Sequence, residues 1–437
     1  MKKFISTIFL SGSISLFSLS AQNKVWTLRD CIDYARQENI QVKKSQLSVE
    51  SADIDILQSK AELFPSLSAG ISQSFSNSKD QANNYKYESS FSGQYSLNAS
   101  WTIYNGGKNS NALKQAKVSK EMETLNTETK QNDIEISITQ TYLQLLYARE
   151  SIKNNENIVA SAKAQLDQAQ IFLDAGSVTR SEYMQIESQY SSDKYNLVLA
   201  QNSFDNYKLQ LKQLLELNIT DEFEVDFPEI NTDNILSPIP DKVSIYETAL
   251  SIMPEIKSSI KNIDYANLTR SSAKGGYLPT ISLSGSVGTG NVYNQSTSFI
   301  KQLDHNFGQS VGLSVSIPIF DNRKNKSTVQ KADIAIQTAQ LDYIDVQKTL
   351  LKTIEGLHQD VISGQSKYQA ALDKLNSAEL SYNLVKEQYS LGMCNTVELT
   401  TEQNNYANAL QELLQAKYTA LLSIKLLNFY QGKEITI

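Results

Sequence analysis

The chain has 437 residues, a formal net charge of -7, two cysteines and two histidines. An acidic chain has no basic surface for a phosphate backbone, so nucleic acid is excluded as a partner. Neither His305 nor His358 stands near a cysteine or a carboxylate pair at metal-ligand spacing, and no phosphate-binding loop, nucleophile elbow or dinucleotide fingerprint occurs. No metal, no cofactor and no catalytic residue is therefore expected.

Residues 1–21 read as a secretory signal peptide. Lys2 and Lys3 precede the apolar, Ser-rich stretch FISTIFLSGSISLFSL, and small residues lead to cleavage near Ala21. No later run approaches the ~20 apolar residues of a membrane helix, so the exported chain is either soluble or crosses a membrane as strands. Cys31 and Cys394 are far apart and are expected to stay unpaired.

The exported chain is written twice. ARQENIQVKKS (35–45) returns as ALSIMPEIKSS (249–259), SLSAGIS after Pro65 as TISLSGS after Pro279, WTIYNGGKN (101–109) as IPIFDNRKN (317–325), and LDAGSVTRSEY (173–183) as YSLGMCNTVEL (389–399). The offsets, taken in chain order, are 214, 214, 216 and 216. A period this long marks duplication of a domain-sized unit rather than a solenoid. The expected division is 22–217 for the first unit, 218–242 for a connector rich in Pro, Asn and Asp, and 243–437 for the second unit.

Each unit opens with an expected helix, 28–61 and 243–275, followed by two strands. Leu67, Ala69, Ile71 and Phe75 share one face of the first strand, while Ser66, Ser68, Ser72 and Ser74 share the other. In the second strand Tyr95, Leu97, Ala99, Trp101 and Ile103 oppose Ser96, Asn98, Ser100 and Thr102. In the second unit Ile281, Leu283 and Val287 oppose Ser282, Ser284 and Ser286, and Val311, Leu313, Val315, Ile317 and Ile319 oppose Gly312, Ser314 and Ser316. This is period-2 alternation in four strands, each of at least about ten residues, long enough to cross a bilayer when tilted. Phe64, Trp101, Tyr104, Tyr277 and Phe320 cluster where strands meet helices, as an interfacial aromatic girdle would. A soluble β-sandwich would show the same alternation, but it has no use for very long helices on its strand ends. The loops 77–88 and 293–306 are polar and expected to be mobile.

Those helices are expected over 108–173 and 323–390, with returning helices over 179–217 and 396–430. Ile138, Leu145, Ile152, Val159, Leu166 and Leu173 recur every seven residues, as do Val361, Tyr368, Leu375, Tyr382 and Tyr389. A spacing of 3.5 residues means coiled-coil packing. Gly364 in the second helix suggests a close helix contact. Gly176 and Gly392 turn the chain back, so each unit is a long helical hairpin. Four strands cannot close a barrel in lipid, where an open edge is forbidden, so closure demands several copies; three give twelve strands.

The duplicated order of WTLRDCIDYA, FPSLS, WTIYNGG and the tip glycines resembles the TolC-type outer-membrane efflux proteins over essentially the whole exported chain. The resemblance implies a mixed α/β membrane protein. Each chain would contribute four strands to a trimeric twelve-stranded transmembrane β-barrel, and long coiled-coil helices to an α-helical barrel in the periplasm. It implies a passive channel-tunnel for efflux or type I secretion in the outer membrane, a homotrimer that meets a periplasmic adaptor and an inner-membrane pump. It further implies that Gly176, Ser177, Val178, Gly392, Met393 and Cys394 form adaptor-docking tips, and that Glu398 and Glu182 ring a periplasmic constriction with Tyr389 bonding across helices. Ordinary helix-start carboxylates and a heptad knob are the plainer readings of those three residues. Cys394 and Thr401 stand where the family often carries an arginine and a second acidic residue. A structural coiled-coil protein or adhesin of the envelope is the alternative; it has no need of two-faced strands.

Overall fold

The computed structural model describes residues 25–80, 86–230, 232, 235–293 and 296–436; the signal peptide expected over 1–21 lies outside them. The two units repeat one plan. Helices α1 (Leu28–Glu38) and α2 (Ile40–Ala61) lead to strands β2 (Ser66–Asp80) and β3 (Lys86–Asn105), then to the long helix α3 (Lys108–Asp174) and its return α4 (Arg180–Leu214). In the second unit α5 (Lys242–Ile252) and α6 (Pro254–Lys274) lead to β5 (Thr280–Val292), a short helix α7 (Phe299–His305), β6 (Gly308–Ser316), the long α8 (Lys324–Ser390) and its return α9 (Thr396–Tyr430). Both long helices have 67 residues, about 100 Å at 1.5 Å per residue. No helix among the described residues is long and apolar enough to cross a membrane.

The single opening helix expected over 28–61 is two. Asn39 holds ψ at 132°, caps α2 by accepting from the Gln41 amide at 2.9 Å, and donates to the Leu214 carbonyl at 3.1 Å. The break recurs at Met253, where Pro254 takes the first helical position, the one place where its missing N–H costs nothing. The connector also holds an element that its composition hides: β4 (Glu224–Val225) pairs in parallel with β1 (Val25–Trp26). The main core gathers there, at mid-length of the long helices. Trp26, Cys31 and Ile32 pack with Ile138, Tyr142 and Leu145, with Phe223 and Val225, and with Ile354 and Leu427. The Tyr142 hydroxyl donates to the Asp226 carbonyl at 2.8 Å and anchors the connector on α3. Cys31 is buried in this core, and Cys394 is half-buried at the far end of the second hairpin.

The strands form one antiparallel sheet in the order β2-β3-β5-β6. Its register keeps like with like. Leu67 meets Ala99, Ile71 meets Tyr95, Phe75 meets Phe91, Leu97 meets Val287 and Leu283 meets Leu313. Ser66 meets Ser100 and Ser286 meets Ser310, with hydroxyl oxygens 2.9 and 2.8 Å apart. A one-residue slip would mix the faces along the whole sheet.

Two expectations at the strand ends are corrected. Alternation does not run through Ile103: a bulge there turns Tyr104 onto the apolar face, opposite Ile281. And β6 stops at Ser316, leaving Ile317 and Ile319 outside the sheet, because β5, its one partner strand among the described residues, begins at Thr280. The loop 293–306 is not purely mobile, since it carries α7. Beyond Gly288 the edge of β5 has no strand partner, and α7 supplies the missing bonds. The Gln302 side chain accepts from the Val292 amide at 2.7 Å, and Asn306 donates to the Gly290 carbonyl at 2.7 Å. The other loop lies partly outside the described residues, which omit 81–85.

Candidate functional site

At the far end from the sheet the two hairpin turns are built alike. Each long helix ends in a Schellman turn. The Ser177 amide donates to the Phe172 carbonyl at 2.8 Å, and the Met393 amide to the Gln388 carbonyl at 2.9 Å, across Gly176 (φ 69°) and Gly392 (φ 72°). The returning helices start with side-chain caps. Thr179 and Glu182 form a reciprocal box: the Glu182 amide donates to the Thr179 hydroxyl at 3.2 Å, and the Glu182 carboxylate accepts from the Thr179 amide at 2.7 Å and from its hydroxyl at 2.8 Å. These donors, the amide first, hold Glu182 below the usual carboxylate range. In the second tip Asn395 takes the cap, accepting from the Glu398 amide at 2.9 Å and donating to the Glu398 carboxylate at 3.1 Å. Both acidic residues thus serve the third helical position of their own turn.

The fold brings these tips together. A cleft of about 590 Å³ between them is lined by Phe172, Val178 and Glu182 from one side and by Tyr389, Met393 and Glu398 from the other. Ser177, Met393 and Gly392 are exposed, Val178 and Cys394 half-buried. Met393, Leu391 and Val397 make the second tip the more apolar of the two on its outer side. The Cys394 thiol points inward, donating to the Val385 carbonyl at 3.4 Å, and burial with the Glu398 charge raises its pKa. Thr401 is tied to its own helix through the Val397 carbonyl at 2.7 Å.

Tyr389 differs from the cross-helix bond expected of it. Its ring packs on Phe172 with centroids 6.2 Å apart, and burial raises its pKa. Its hydroxyl approaches that of Thr396, yet neither completes a hydrogen bond with a described residue. The bonds that tie the hairpins together lie two turns above. The Tyr382 hydroxyl takes a bond from Gln165 at 2.7 Å and lies 3.0 Å from the Ser161 hydroxyl, joining α8 to α3. Gln403 donates to the buried Asp193 carboxylate at 2.9 Å, and Gln189 bonds Asn404 at 2.9 Å, joining α9 to α4. Burial pushes the Asp193 carboxyl up to about 6, against the bond from Gln189. Sequence reasoning missed these contacts because partners 210 to 221 positions apart leave no local pattern.

At the opposite end the five aromatics named above gather where the strands enter the helices. Trp101 donates to the Leu63 carbonyl at 2.9 Å, and Phe64, Tyr104, Tyr277 and Phe320 are exposed beside it. The apolar face of the sheet is bare: Ile71 is 77% and Val311 83% exposed. Among the described residues both sheet edges, β2 and β6, lack a partner strand.

The sequence model of the family described as "Outer membrane efflux protein" matches residues 31–216 and 245–432. The chain belongs to that family. It is similar to the outer membrane protein TolC of Escherichia coli, 24% identical over 431 residues, which cover 97% of this chain and 85% of TolC. The alkaline protease secretion protein AprF of Pseudomonas aeruginosa is 21% identical over 302 residues, 68% of this chain and 61% of AprF. Among solved structures, CusC superposes with a TM-score of 0.81 at 17% identity, covering 93% of this chain and 92% of CusC, and so shares its fold. The protein is accordingly an outer-membrane efflux channel protein, with the sheet-plus-tunnel architecture of that family.

Proposed function

We propose that three copies of this chain close a twelve-stranded barrel in the outer membrane and form a continuous conduit that opens or shuts at the hairpin tips. The single observation that carries this reading is the sheet. It has two free edges and a bare apolar face, and it runs directly into helices of 67 residues. Hydrocarbon tolerates neither an open edge nor four strands alone, so the sheet is complete only in a closed ring. The serine face then lines water, the apolar face meets lipid, and the aromatics rest at the periplasmic boundary.

The helices extend this passage through the periplasm. The tips carry the gate: Glu182 and Glu398 from each copy meet around the axis, and rings of carboxylates favour cations over anions. The exposed apolar residues of the second tip suit docking of a periplasmic adaptor, which links the conduit to an inner-membrane pump. The passage carries cargo without altering it.

Planar-bilayer conductance tests both parts. Wild-type protein in detergent is expected to give discrete cation-selective channels. Glu398→Gln keeps an acceptor for Asn395 while removing the charge, and is expected to lower the selectivity. Channels of unchanged selectivity would remove Glu398 from the gate. A monomer that needs no detergent would overturn the conduit itself and favour an envelope coiled-coil protein.

A further inference from the structure

The duplication fixes more than the plan of one chain. Residues from α1 to β2 recur 214 positions later and residues from β3 to α4 recur 216 later, as α2 against α6 and α3 against α8 show. The within-unit registers obey the same shifts, since Ser66 opposite Ser100 becomes Thr280 opposite Ser316. One strand junction, β3 with β5, joins the first unit to the second. Its equivalent, β6 with a following β2, has no occupant within one chain.

Applying the shifts to the β3–β5 register generates that missing junction. Asn98 opposite Ser286 becomes Ser314 opposite Ser72. Tyr95 opposite Thr289 becomes Val311 opposite Phe75, and Ala99 opposite Gly285 becomes Val315 opposite Ile71. Trp101 opposite Leu283 becomes Ile317 opposite Ala69, and Tyr104 opposite Ile281 becomes Phe320 opposite Leu67. These five pairs match apolar with apolar or serine with serine, whereas Leu313 falls opposite Gln73 and Pro318 opposite Ser68. The residues left outside β6 in one chain, Ile317 and Phe320, acquire partners.

The backbone agrees. The Tyr293 amide donates to the Phe91 carbonyl at 2.6 Å, so odd residues of β3 and β5 face one another. Alternation then turns the odd residues of β6 and of β2 outward at the free edges. Pro318 is even and points its missing N–H back toward the side where β5 has already ended. The free edge keeps all its donors.

The same shifts reach the helices. Within the chain α3 packs on α6, where Gln115 donates to the Thr269 hydroxyl at 2.8 Å. Val118 and Leu125 of α3 lie on the helical face of Gln115, and they and Leu268 of α6 are half-buried. Their equivalents, Ile334 and Leu341 on α8 and Ile54 on α2, are 61%, 66% and 64% exposed. The equivalents of Gln115 and Thr269 are Lys331 and Asp55, opposite charges that pair with no described residue.

We propose that β6 pairs antiparallel with β2 of a second copy of this chain with Ser314 opposite Ser72 and Val311 opposite Phe75, and that α8 packs on α2 of that copy with Lys331 facing Asp55. The proposal rests on the barrel reading and adds the register of its copy-to-copy seam.

Cysteine pairs test it in a Cys394→Ser background, with Cys31 left in the core. Ser72→Cys with Ser314→Cys places two thiols at a non-hydrogen-bonded pair, where Cα atoms lie about 4.5 Å apart. Ser74→Cys with Ser314→Cys is two residues out of register, about 7–8 Å apart and beyond disulfide reach. Both variants are first sized in detergent under reducing conditions, then oxidised and run without reductant. The expected result is a trimer in both, with a covalent trimer only from the first. A trimer linked through the second pair, or through neither, overturns the register and leaves the barrel standing. Absence of any trimer under reducing conditions overturns the barrel reading itself.

Discussion

The two units differ less in what they contain than in what surrounds them. Their long helices have equal length and their returning helices are both 35 residues. Both also place two left-handed residues between strand and helix, Gly106-Gly107 in one and Asn322-Arg323 in the other. Yet the first unit accepts only glycine at its first left-handed position. A Cβ on Gly106 would sit 2.1 Å from the Gly275 carbonyl, while one on Gly107 would meet nothing within 4 Å. The long helices follow the same rule. α3 is enclosed by α1, α2, α4, α6 and α9, whereas α8 packs chiefly on α5, α6 and α9. The first unit shows a neighbour's footprint because that neighbour is the rest of its own chain; the second leaves the equivalent surfaces bare.

The largest effect is expected at the strand-to-helix junction. Gly106→Ala combines a backbone collision with a strained φ of 71° and should cost about 3 kcal/mol or more. Gly107→Ala, with open space, should cost only about 1–2 kcal/mol; thermal unfolding of the two variants side by side measures the gap. Equal losses would show that conformation, and not the close approach to Gly275, sets the requirement.

Next comes the hairpin contact of the second unit. Gly364 lies against α9, where an added Cβ would meet Ala420 Cα at 3.0 Å. Gly364→Leu is expected to splay α8 from α9 and lower stability by about 1–3 kcal/mol, read from denaturant midpoints. The equivalent positions in the first unit are Ala148 and Phe204, so there the pair carries more bulk.

A smaller effect concerns Asp193, whose equivalent in the second unit is Ala409. Its carboxyl titrates near 6 in the fold because burial disfavours the charge. The folded state therefore binds the proton more readily than the unfolded chain does. Stability from this group rises as pH falls from about 7 toward the ordinary aspartate range near 4, where the gain levels off. Asp193→Asn should be more stable than wild type at pH 7, with the difference shrinking on acidification. A difference that stays constant with pH would exclude Asp193 as the titrating group.

Smallest are the caps. Thr179→Ala and Asn395→Ala should each cost about 1 kcal/mol. The first should also return Glu182 toward the usual carboxylate range, which a carboxyl titration would detect.

Much of this architecture is legible in the sequence, for physical reasons. Alternation from Ser66 to Phe75 and heptads from Ile138 to Leu173 are local records of which side each residue must face. The duplication told where equivalent elements lie. The break at Asn39 left no such record, because the apolar pattern continues across it and the Asn39 side chain also bonds Leu214, far away in the chain. The bulge at Ile103 and the helix at Phe299 depend on where a neighbouring strand ends. At the tips the glycines were readable, and so were the capping spacings of Thr179 with Glu182 and Asn395 with Glu398. Those spacings assign the carboxylates to their turns before any role at a pore. The bonds of Tyr382 and Asp193 arise only once two hairpins stand side by side.

The bare sheet has a consequence for how such a molecule is made. The helical body has its own cores within one chain, one around Tyr142 and one near the tips around Tyr389 and Leu399, even though α8 and α2 keep bare faces. The four strands satisfy themselves only in company. In the proposed trimer the body needs one chain and the barrel three, so closing the barrel depends steeply on how many chains are present. A copy with an intact body and a spoiled β6 would still join two healthy copies and leave their ring unclosed. Such a defect would be dominant: in an equal mixture of sound and spoiled chains, most rings would carry at least one faulty seam.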